Sequence, residues 1–434
     1  MGVKTNLNGH NGLDVSTEAA AKWHGSCRVM RNPAGSWVRP AATVNIRVDG
    51  AYKMQVNMLQ RVRSRASRTL RVVIRVGLIA SVGPALSAPV IQQVSGELNH
   101  KGTITVSGSG FGLKASAAPV VWDDATGSNI SDKWDGAWPD AVPGYNTKYY
   151  DPMRGINPPH AHDTRYIAGA HATTAGANSG ELVTFFKNIP LQTFPFYVYV
   201  SWYQRADAQW VFGEDNNFKT FVYSNCCGAY TSPFWVTVYG PPHPANRTDT
   251  PQWTTAGLAL MNPDVNGHNA WWSSGVNPMS GKWSKVEIVI KVTDQANGYL
   301  HVWENGHQVM AYVGPTDTFP GTQRTIGIGG YARMQGQKSN WRYYDDVYLD
   351  TTLSRVVLAD KPVLSQAAII ENQIPSSWSD GSITATVNLG QFTQGRTAYL
   401  FVIDSSGTPS PTGLAVMAGG TVVTPNAPSA ISVH

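Results

Sequence analysis

Cysteine is scarce in this chain, with three copies among 434 residues, and this scarcity excludes several kinds of site. Cys27 stands alone, whereas Cys226 and Cys227 are neighbours. A conventional disulfide holds its Cα atoms about 4.4–6.8 Å apart, whereas adjacent Cα atoms lie only about 3.8 Å apart. The pair is therefore a strained vicinal disulfide, two free or intermolecular thiols, or an ordinary loop pair. Without a CxxC pair at zinc spacing, neither disulfides nor zinc–thiolate sites frame the fold.

Charge is also sparse and unevenly distributed along the chain. The sequence carries 33 Lys+Arg and 28 Asp+Glu, a net charge of +5. Residues 1–88 contain 13 of the basic residues and three acids, which leaves 20 basic and 25 acidic residues in the remainder. No Lys/Arg cluster follows residue 88, so a nucleic-acid-binding surface is excluded.

Long apolar runs are absent. A short apolar run lies within residues 58–88, between a group of arginines and a group of small residues. Five arginines from Arg61 to Arg71 precede the mostly apolar Val72–Val82, and small residues end the segment at Ala85, Ser87 and Ala88. This order is typical of a secretory signal peptide, and the apolar run is too short to span a bilayer. We expect a protein that is secreted or at the cell surface, extracellular or periplasmic. Residues 1–57 then form an unstructured or mis-assigned extension.

Beyond residue 88 the sequence consists of short alternating runs separated by turn residues, without a helical period. Asn305-Gly306 between HVWE and HQVMAYV predicts a tight hairpin, because both residues adopt positive φ readily. The fold class is therefore all-β, built from sandwiches or barrels.

Two segments far apart in the chain carry one resemblance. Residues 89–112, with the run GTITVSGSGFG, resemble the opening half of an IPT/TIG domain, which is an immunoglobulin-like β-sandwich. A similar closing pattern occupies residues 377–410. The resemblance implies one immunoglobulin-like domain formed by residues 89–128 and 362–426. The alternative is two separate β modules that flank a central domain.

The central residues 129–361 carry a second resemblance. GKWSKVEIVIKVTDQANGYLHVWENGHQV at 281–309 and NWRYYDDVYLD at 340–350 resemble the concanavalin A-like jelly rolls of laminin-G domains, lectins, glucanases and polysaccharide lyases. The resemblance implies a jelly-roll sandwich inserted in, or flanked by, the immunoglobulin-like domain. It also implies glycan binding on the concave face of one sheet.

The strand FYVYVSWYQR at 196–205 has the composition of such a face. Phe196, Val198, Val200 and Trp202 alternate onto a core side, and tyrosines followed by an arginine occupy the other side. Aromatic rings stack on sugar C–H faces, and polar groups bind the hydroxyls. The alternative is that another part of the chain covers this second face. The candidate substrate-binding residues are Tyr197, Tyr199, Tyr203, Arg205, Asn217, Tyr223 and Trp303.

Catalytic motifs are few. The E-x-D-x-x-E strand of jelly-roll glucanases is absent, as are the R-x-E-x-R and Q-I-H motifs of the jelly-roll alginate lyases. A lyase needs a cation at the uronate carboxylate and a Tyr or His base. Tyr203 or His301 as base, with Arg205 or Lys219 as cation, supplies these residue types. If the protein is an enzyme, a polysaccharide lyase is favoured over a glycoside hydrolase.

Metal-ligating patterns are weak. Asp345 and Asp346 are candidate ligands of a structural calcium ion, with solvated aspartates as the alternative. His160 and His162 are spaced to meet a metal on a strand, yet no third ligand is evident. No other cofactor is expected.

The sequence thus predicts a secreted protein that binds a polysaccharide or cell-surface glycan through an aromatic sheet face. The first alternative is a lyase acting on uronate-containing glycans. The second is a structural or adhesive surface protein, in which the aromatic face mediates self-association.

Overall fold

The structure is a computed structural model of the whole chain. It describes residues 44–48, 52–56, 87–138, 147–150, 155–171, 180–212, 218–225, 234–239, 257–261, 271–275, 279–318, 320–333, 337–339 and 341–423. The chain divides into two compact units, residues 1–81 and 82–434. Within the described residues no helix is long and apolar enough to cross a membrane.

The residues described in the first unit form an antiparallel pair of strands, β1 (Val44–Val48) and β2 (Tyr52–Val56). An isolated pair of strands is marginally stable at best in water. The prediction of an extension without packed structure over residues 1–57 therefore stays a prediction. Of the predicted signal peptide, residues 58–86 lie outside the described part of the chain.

The second unit is all-β, as the sequence predicts, and its described residues form 24 further strands. They are β3 (Val90–Glu97), β4 (Thr103–Ser109), β5 (Val121–Asp123), β6 (Gly136–Trp138), β7 (Lys148–Tyr150), β8 (Tyr166–Ala170), β9 (Gly180–Pro190), β10 (Phe196–Ala206), β11 (Phe218–Ser224), β12 (Phe234–Tyr239), β13 (Gly257–Met261), β14 (Trp271–Ser274), β15 (Ser284–Val292), β16 (Tyr299–Glu304), β17 (His307–Val313), β18 (Gln323–Arg333), β19 (Trp341–Asp350), β20 (Arg355–Ala359), β21 (Ile370–Asn372), β22 (Ile374–Trp378), β23 (Ser382–Thr386), β24 (Thr397–Ile403), β25 (Leu414–Met417) and β26 (Thr421–Val423).

Two antiparallel sheets form the jelly roll. The eight-stranded sheet has the order β17-β16-β15-β10-β19-β8-β7, with β5 also paired to β19. The seven-stranded sheet has the order β14-β13-β12-β11-β18-β9-β6. Their inner faces share one apolar core, in which Trp202 of β10 stacks on Phe221 of β11 with ring centroids 6.3 Å apart.

Strand alternation in the sequence explains how the jelly-roll core forms. Phe196, Val198, Val200 and Trp202 of β10 all point into the core, which confirms the predicted alternation. Asn305 and Gly306 join β16 to β17 with φ values of 49° and 78°. These positive angles match the predicted hairpin, because both turn positions need the left-handed region.

Strands from both ends of the second unit form a smaller sandwich. Its sheets have the orders β22-β23-β4-β3-β26 and β21-β20-β24-β25. Ile104 of β4 lies opposite Ala385 of β23, and Val94 and Val106 share an apolar core with Val356 and Val402. The jelly roll is therefore inserted between strands of one sandwich. The IPT/TIG assignment itself stays a prediction.

Two short strands lie on the other side of the predicted domain boundaries. β5, expected in the immunoglobulin-like segment 89–128, pairs with β19 of the jelly roll. β20, expected within 129–361, pairs with β24 of the small sandwich, where Val356 and Leu358 fill its core. β5 lies just after the chain passes from the small sandwich into the jelly roll, and β20 lies just after it returns. Local sequence patterns do not mark these two passages.

Candidate functional site

The outer face of β10 is largely covered by the small sandwich. Tyr199 is 1% exposed and Tyr203 is 3% exposed. The Tyr203 hydroxyl donates to Glu371 Oε1 at 2.6 Å, and the Tyr199 hydroxyl donates to Glu287 Oε1 at 2.7 Å. The sequence analysis left open that another part of the chain covers this face, and the small sandwich does so. The prediction that Tyr199 and Tyr203 contact a glycan is wrong, because no polysaccharide reaches a buried phenol.

A buried ion pair holds the covering segment in place. Lys285 Nζ lies 2.8 Å from Glu371 Oε2, and the same ammonium donates to the Ile370 carbonyl. Burial alone would lower the pKa of Lys285, but the Glu371 carboxylate raises it above its ordinary value. Burial and then Glu371 raise the pKa of Tyr203 well above its ordinary value. The phenol therefore stays protonated and cannot accept a proton from a substrate.

Tyr223, another predicted binding residue, lies in the core between the two sheets. It is fully buried, and its hydroxyl donates to Asp317 Oδ2 at 2.6 Å. Arg324 Nε donates to the same oxygen at 2.6 Å. Tyr223 therefore has a structural role, and its assignment as a binding residue is wrong. Asn217, also predicted to bind, lies outside the described residues.

Three other predicted residues of the eight-stranded sheet form a partly exposed aromatic row with Tyr299, namely Tyr197, His301 and Trp303. Tyr197 and Tyr299 lie 6.5 Å apart between ring centroids, Tyr299 and His301 4.6 Å, and His301 and Trp303 5.8 Å. Sequence reasoning missed Tyr299, although its position two residues before His301 placed it on the same face. The rings of Tyr299 and His301 stack on each other, so these faces already have a partner.

The aromatic row ends at a cleft of about 530 Å³ between the sheet and the small sandwich. Its lining includes Glu287, Trp303 and Arg355. The Arg355 guanidinium carbon lies 4.1 Å from the centroid of the Tyr199 ring. The cation therefore occupies the aromatic face that a sugar would use.

The four predicted lyase residues are divided between two sheets. Tyr203, Arg205 and His301 belong to the eight-stranded sheet, where Arg205 is partly exposed opposite Tyr343. Lys219 belongs to β11 of the seven-stranded sheet. Lys219 therefore does not join the other three residues, and Tyr203 is buried next to Arg205 on β10. The lyase role of these residues stays a prediction.

Lys219 has its own aromatic surroundings on the outer face of the seven-stranded sheet. Its Nζ lies 4.7 Å from the ring centroid of Tyr331 on β18 and 5.4 Å from that of Trp235 on β12. All three side chains are partly exposed. Each alternates with core residues of its strand, such as Phe218 and Phe234. One cation and two aromatic rings thus share one patch, which we call the Lys219 patch.

A glycine bulge in β18 makes the Lys219 patch possible. Gly329 and Gly330 have φ values of 91° and 147°, which side chains rarely adopt. A Cβ on Gly330 would lie 2.8 Å from Lys219 Cβ and 3.0 Å from a ring carbon of Trp235. The bare backbone therefore lets the lysine and the indole lie against this strand.

Arg342 supports the bulge from inside the jelly roll. Its Nη1 donates to the Gly330 carbonyl at 2.8 Å, and its Nη2 donates to the Lys219 carbonyl. Burial, followed by this nearby guanidinium, lowers the pKa of Lys219 to about 8. Lys219 is still mostly protonated at neutral pH. The described residues place no carboxylate within ion-pair distance of it, so an acidic ligand can take that place.

Asp345 and Asp346, the predicted calcium ligands, are buried in β19. Asp346 Oδ2 lies 3.2 Å from His160 Nε2 and accepts from Asn388 Nδ2 at 3.0 Å. Asp346 has a φ of 47°, a strained value for this residue type. Burial and then the Asp346 carboxylate raise the pKa of Asp345 well above its ordinary value. The structure therefore brings these aspartates to a histidine that the sequence treated separately.

Comparison with known proteins gives similarity at the level of solved structures. No family model and no curated protein matches the chain. An endo-β-1,4-glucuronan lyase from the fungus Trichoderma reesei is similar over 54% of this chain and 96% of its own, with 16% identity and a TM-score of 0.40.

The alginate lyase Aly36B is similar over 54% of this chain and 98% of its own, with 13% identity and a TM-score of 0.32. The carbohydrate recognition domain of Emp47p is similar over 49% of this chain and 91% of its own, with 10% identity and a TM-score of 0.30. These similar structures thus include polysaccharide lyases and a carbohydrate-recognition domain. The activities named are those of these proteins.

Proposed function

We propose that the jelly roll binds an acidic polysaccharide at the Lys219 patch. The observation that carries this proposal is the Lys219 ammonium between the rings of Tyr331 and Trp235. A uronate residue offers a carboxylate to the cation, and its C–H face stacks on an aromatic ring. A neutral glucan offers only the second interaction.

Affinity electrophoresis and titration calorimetry with polyglucuronate, alginate and a neutral glucan test this proposal. Lys219→Met keeps the aliphatic volume and removes the charge, and we expect about tenfold weaker binding of the acidic polymers, about 1.4 kcal/mol. Lys282→Met, at an exposed lysine beside the other sheet, is the matched control and keeps full affinity. Equal loss in both variants would show a nonspecific charge effect and contradict the proposal.

A second candidate function is a polysaccharide lyase that uses the same patch. The lowered pKa of Lys219, about 8, favours it, because perturbed lysines are common in active sites. Lys219 would neutralise the uronate carboxylate, and the Tyr331 hydroxyl is the adjacent group for proton transfer. The proton at C5 leaves, the C4–O4 bond breaks, and a C4=C5 double bond forms in the product.

The unsaturated product absorbs ultraviolet light, so absorbance during incubation with polyuronates separates lyase from binder. A lyase gives rising absorbance that Lys219→Met abolishes and Lys282→Met preserves. Binding without any rise in absorbance leaves the binding function and excludes the lyase for that polymer.

Export completes the proposal. We propose that the protein is secreted or held at the cell surface after cleavage near Ala88 or Pro89. N-terminal sequencing of the mature product from the medium or periplasm tests it. A cytoplasmic product that retains residues 58–88 would contradict it.

A further inference from the structure

Three histidines and three aspartates converge where three segments of the second unit meet. The turn between β3 and β4 provides His100, the loop before β8 provides His160, His162 and Asp163, and β19 provides Asp345 and Asp346. Because the first segment belongs to the small sandwich and the other two to the jelly roll, this cluster joins both domains. We call it the junction cluster.

The imidazoles of the junction cluster are packed against each other. The ring centroids of His100 and His162 lie 3.8 Å apart, and those of His160 and His162 lie 5.5 Å apart with the rings nearly parallel. Ligand atoms of His100, His162 and Asp163 all lie within 4.8 Å of one another. Zinc holds nitrogen and oxygen ligands at about 2.0–2.2 Å, so its tetrahedral ligands lie about 3.4 Å apart, a spacing that this limit includes.

Several buried polar atoms of the cluster have no hydrogen-bond partner. They are His100 Nδ1, His160 Nδ1, His162 Nε2, Asp163 Oδ2, Asp345 Oδ2 and Asp346 Oδ1. Asp345 is 0% exposed, and Asp346 and His160 are each 5% exposed. Buried polar atoms in folded proteins are nearly always paired. His162 Nε2 lies 3.6 Å from Asp163 Oδ1, beyond hydrogen-bond distance. Six atoms without a hydrogen-bond partner in one place therefore indicate a ligand that pairs with them.

The charge of the cluster points to a cation. Asp163, Asp345 and Asp346 bring three carboxylates together, and Asp163 interacts electrostatically with both of the others. His160 interacts with Asp163 and Asp346. The buried ammonium of Lys285, which acts electrostatically on Asp346, is already paired with Glu371. Glu371 also accepts from Tyr203, so its oxygens are occupied although it lies near His160 and Asp346. An ion of charge +2 would offset the remaining carboxylates.

Ligand chemistry narrows the choice of ion. Calcium and magnesium take oxygen ligands, whereas imidazole nitrogen favours zinc and related transition ions. We propose that His100, His162 and Asp163 bind one divalent transition ion of the zinc class. His160 stacks on His162 and its Nε2 lies 3.2 Å from Asp346 Oδ2, so this buried pair packs against the ligand set. The ion would fasten the small sandwich to the jelly roll, and the calcium predicted for Asp345 and Asp346 is the alternative.

Two measurements on the protein test the proposal, its zinc content and its melting temperature. Protein stripped with EDTA and dialysed against zinc chloride is expected to retain about one zinc per chain by mass spectrometry. Its melting temperature should rise on zinc addition, because an ion that binds only the folded state stabilises it. Cobalt(II) should give visible absorption bands in the stripped protein.

Variants identify the ligands. His162→Gln and Asp163→Asn are each expected to weaken zinc binding at least 100-fold and to abolish the cobalt bands. His307→Gln, at an exposed histidine on β17, is the matched control and keeps both. Circular dichroism of each stripped variant confirms that it is folded.

Three outcomes would overturn the assignment. The first is no zinc retention and no rise in melting temperature. The second is full zinc binding in both variants. The third is stabilisation by calcium that Asp345→Asn removes and His162→Gln leaves intact, which would transfer the site to the carboxylates. None of these outcomes depends on glycan binding, so the proposed function stands or falls separately.

Discussion

The outer faces of the two jelly-roll sheets differ in how their charged groups are paired. On the eight-stranded sheet the Tyr203 hydroxyl, Lys285 and Glu371 satisfy one another beneath the small sandwich. On the seven-stranded sheet Lys219 contacts two aromatic rings, and no described carboxylate pairs with it. A paired, covered cation stabilises the fold, whereas a cation among rings without an acid partner is suited to an acidic ligand.

A substitution beneath the small sandwich, on the outer face of the eight-stranded sheet, should have the largest effect on stability. Glu371→Gln removes the ion-pair partner of the buried Lys285 ammonium, and breaking such a pair costs about 3–5 kcal/mol. We expect a loss of this size in the free energy of unfolding, measured by urea denaturation. Glycan affinity of the folded fraction should not change, because the Lys219 patch is on the other sheet.

Glu97→Gln is the control for this change, since Glu97 is an exposed acid of the small sandwich. It should alter the free energy of unfolding by less than about 0.5 kcal/mol. A similar loss in both variants would mean that Glu371 has no special role in covering the sheet.

The Lys219 patch should show the next largest effect, on affinity. Trp235→Ala removes an aromatic face beside Lys219, and we expect about tenfold weaker binding of acidic polysaccharide, about 1.4 kcal/mol. Neutral glucans should lose affinity as well, because stacking does not need charge. Unchanged affinity by calorimetry would place the glycan elsewhere on the molecule.

The pH dependence of glycan binding tests whether the charge of Lys219, on the seven-stranded sheet, contributes to affinity. Because the pKa of Lys219 is lowered to about 8, its charge is present at neutral pH and lost as the pH rises. Affinity for a polyuronate should fall roughly fivefold to tenfold between about pH 7 and about pH 9. Lys219→Met should remove this dependence, and a profile that persists in the variant would assign it to another group.

Lys219 also affects stability in a direction that the linkage relation fixes. Its pKa is lower in the folded chain than the ordinary value of 10.5, so the unfolded chain binds more protons between these two values. Through this group the free energy of unfolding therefore rises with pH from about 8 to about 10.5. The rise should be absent in Lys219→Met.

The aromatic row should show the smallest effect. Replacing both Tyr197 and Trp303 by Ser changes partly exposed side chains, and we expect a stability change of about 0.5 kcal/mol or less. Glycan affinity should stay within experimental error. A loss as large as that of Trp235→Ala would move the binding face to the eight-stranded sheet.

Local patterns in the sequence predicted much of the fold. The alternation in β10 placed Trp202 in the core, and Asn305-Gly306 placed the hairpin. These features depend on neighbouring residues only. The covering of Tyr203 by Glu371 joins residues 168 positions apart, and no periodicity marks such a contact.

The candidate site was predictable only in part for the same reason. Lys219 was chosen for its residue type, but Trp235 and Tyr331 lie on separate strands that reach it through a glycine bulge. The spacing of His160 and His162 suggested a metal without a third ligand. His100 comes from the other domain, so only the tertiary structure reveals it.

The insertion of the jelly roll between β4 and β20 has a consequence for biosynthesis. Ile104 finds its partner Ala385 only after every jelly-roll residue has left the ribosome. Until then the edges of β3 and β4 are open to pairing with other chains. Folding of the jelly roll brings the small-sandwich strands that precede it close to those that follow it, so the nascent chain depends on this step being fast. Slow translation through the jelly roll would lengthen the time during which aggregation competes with folding.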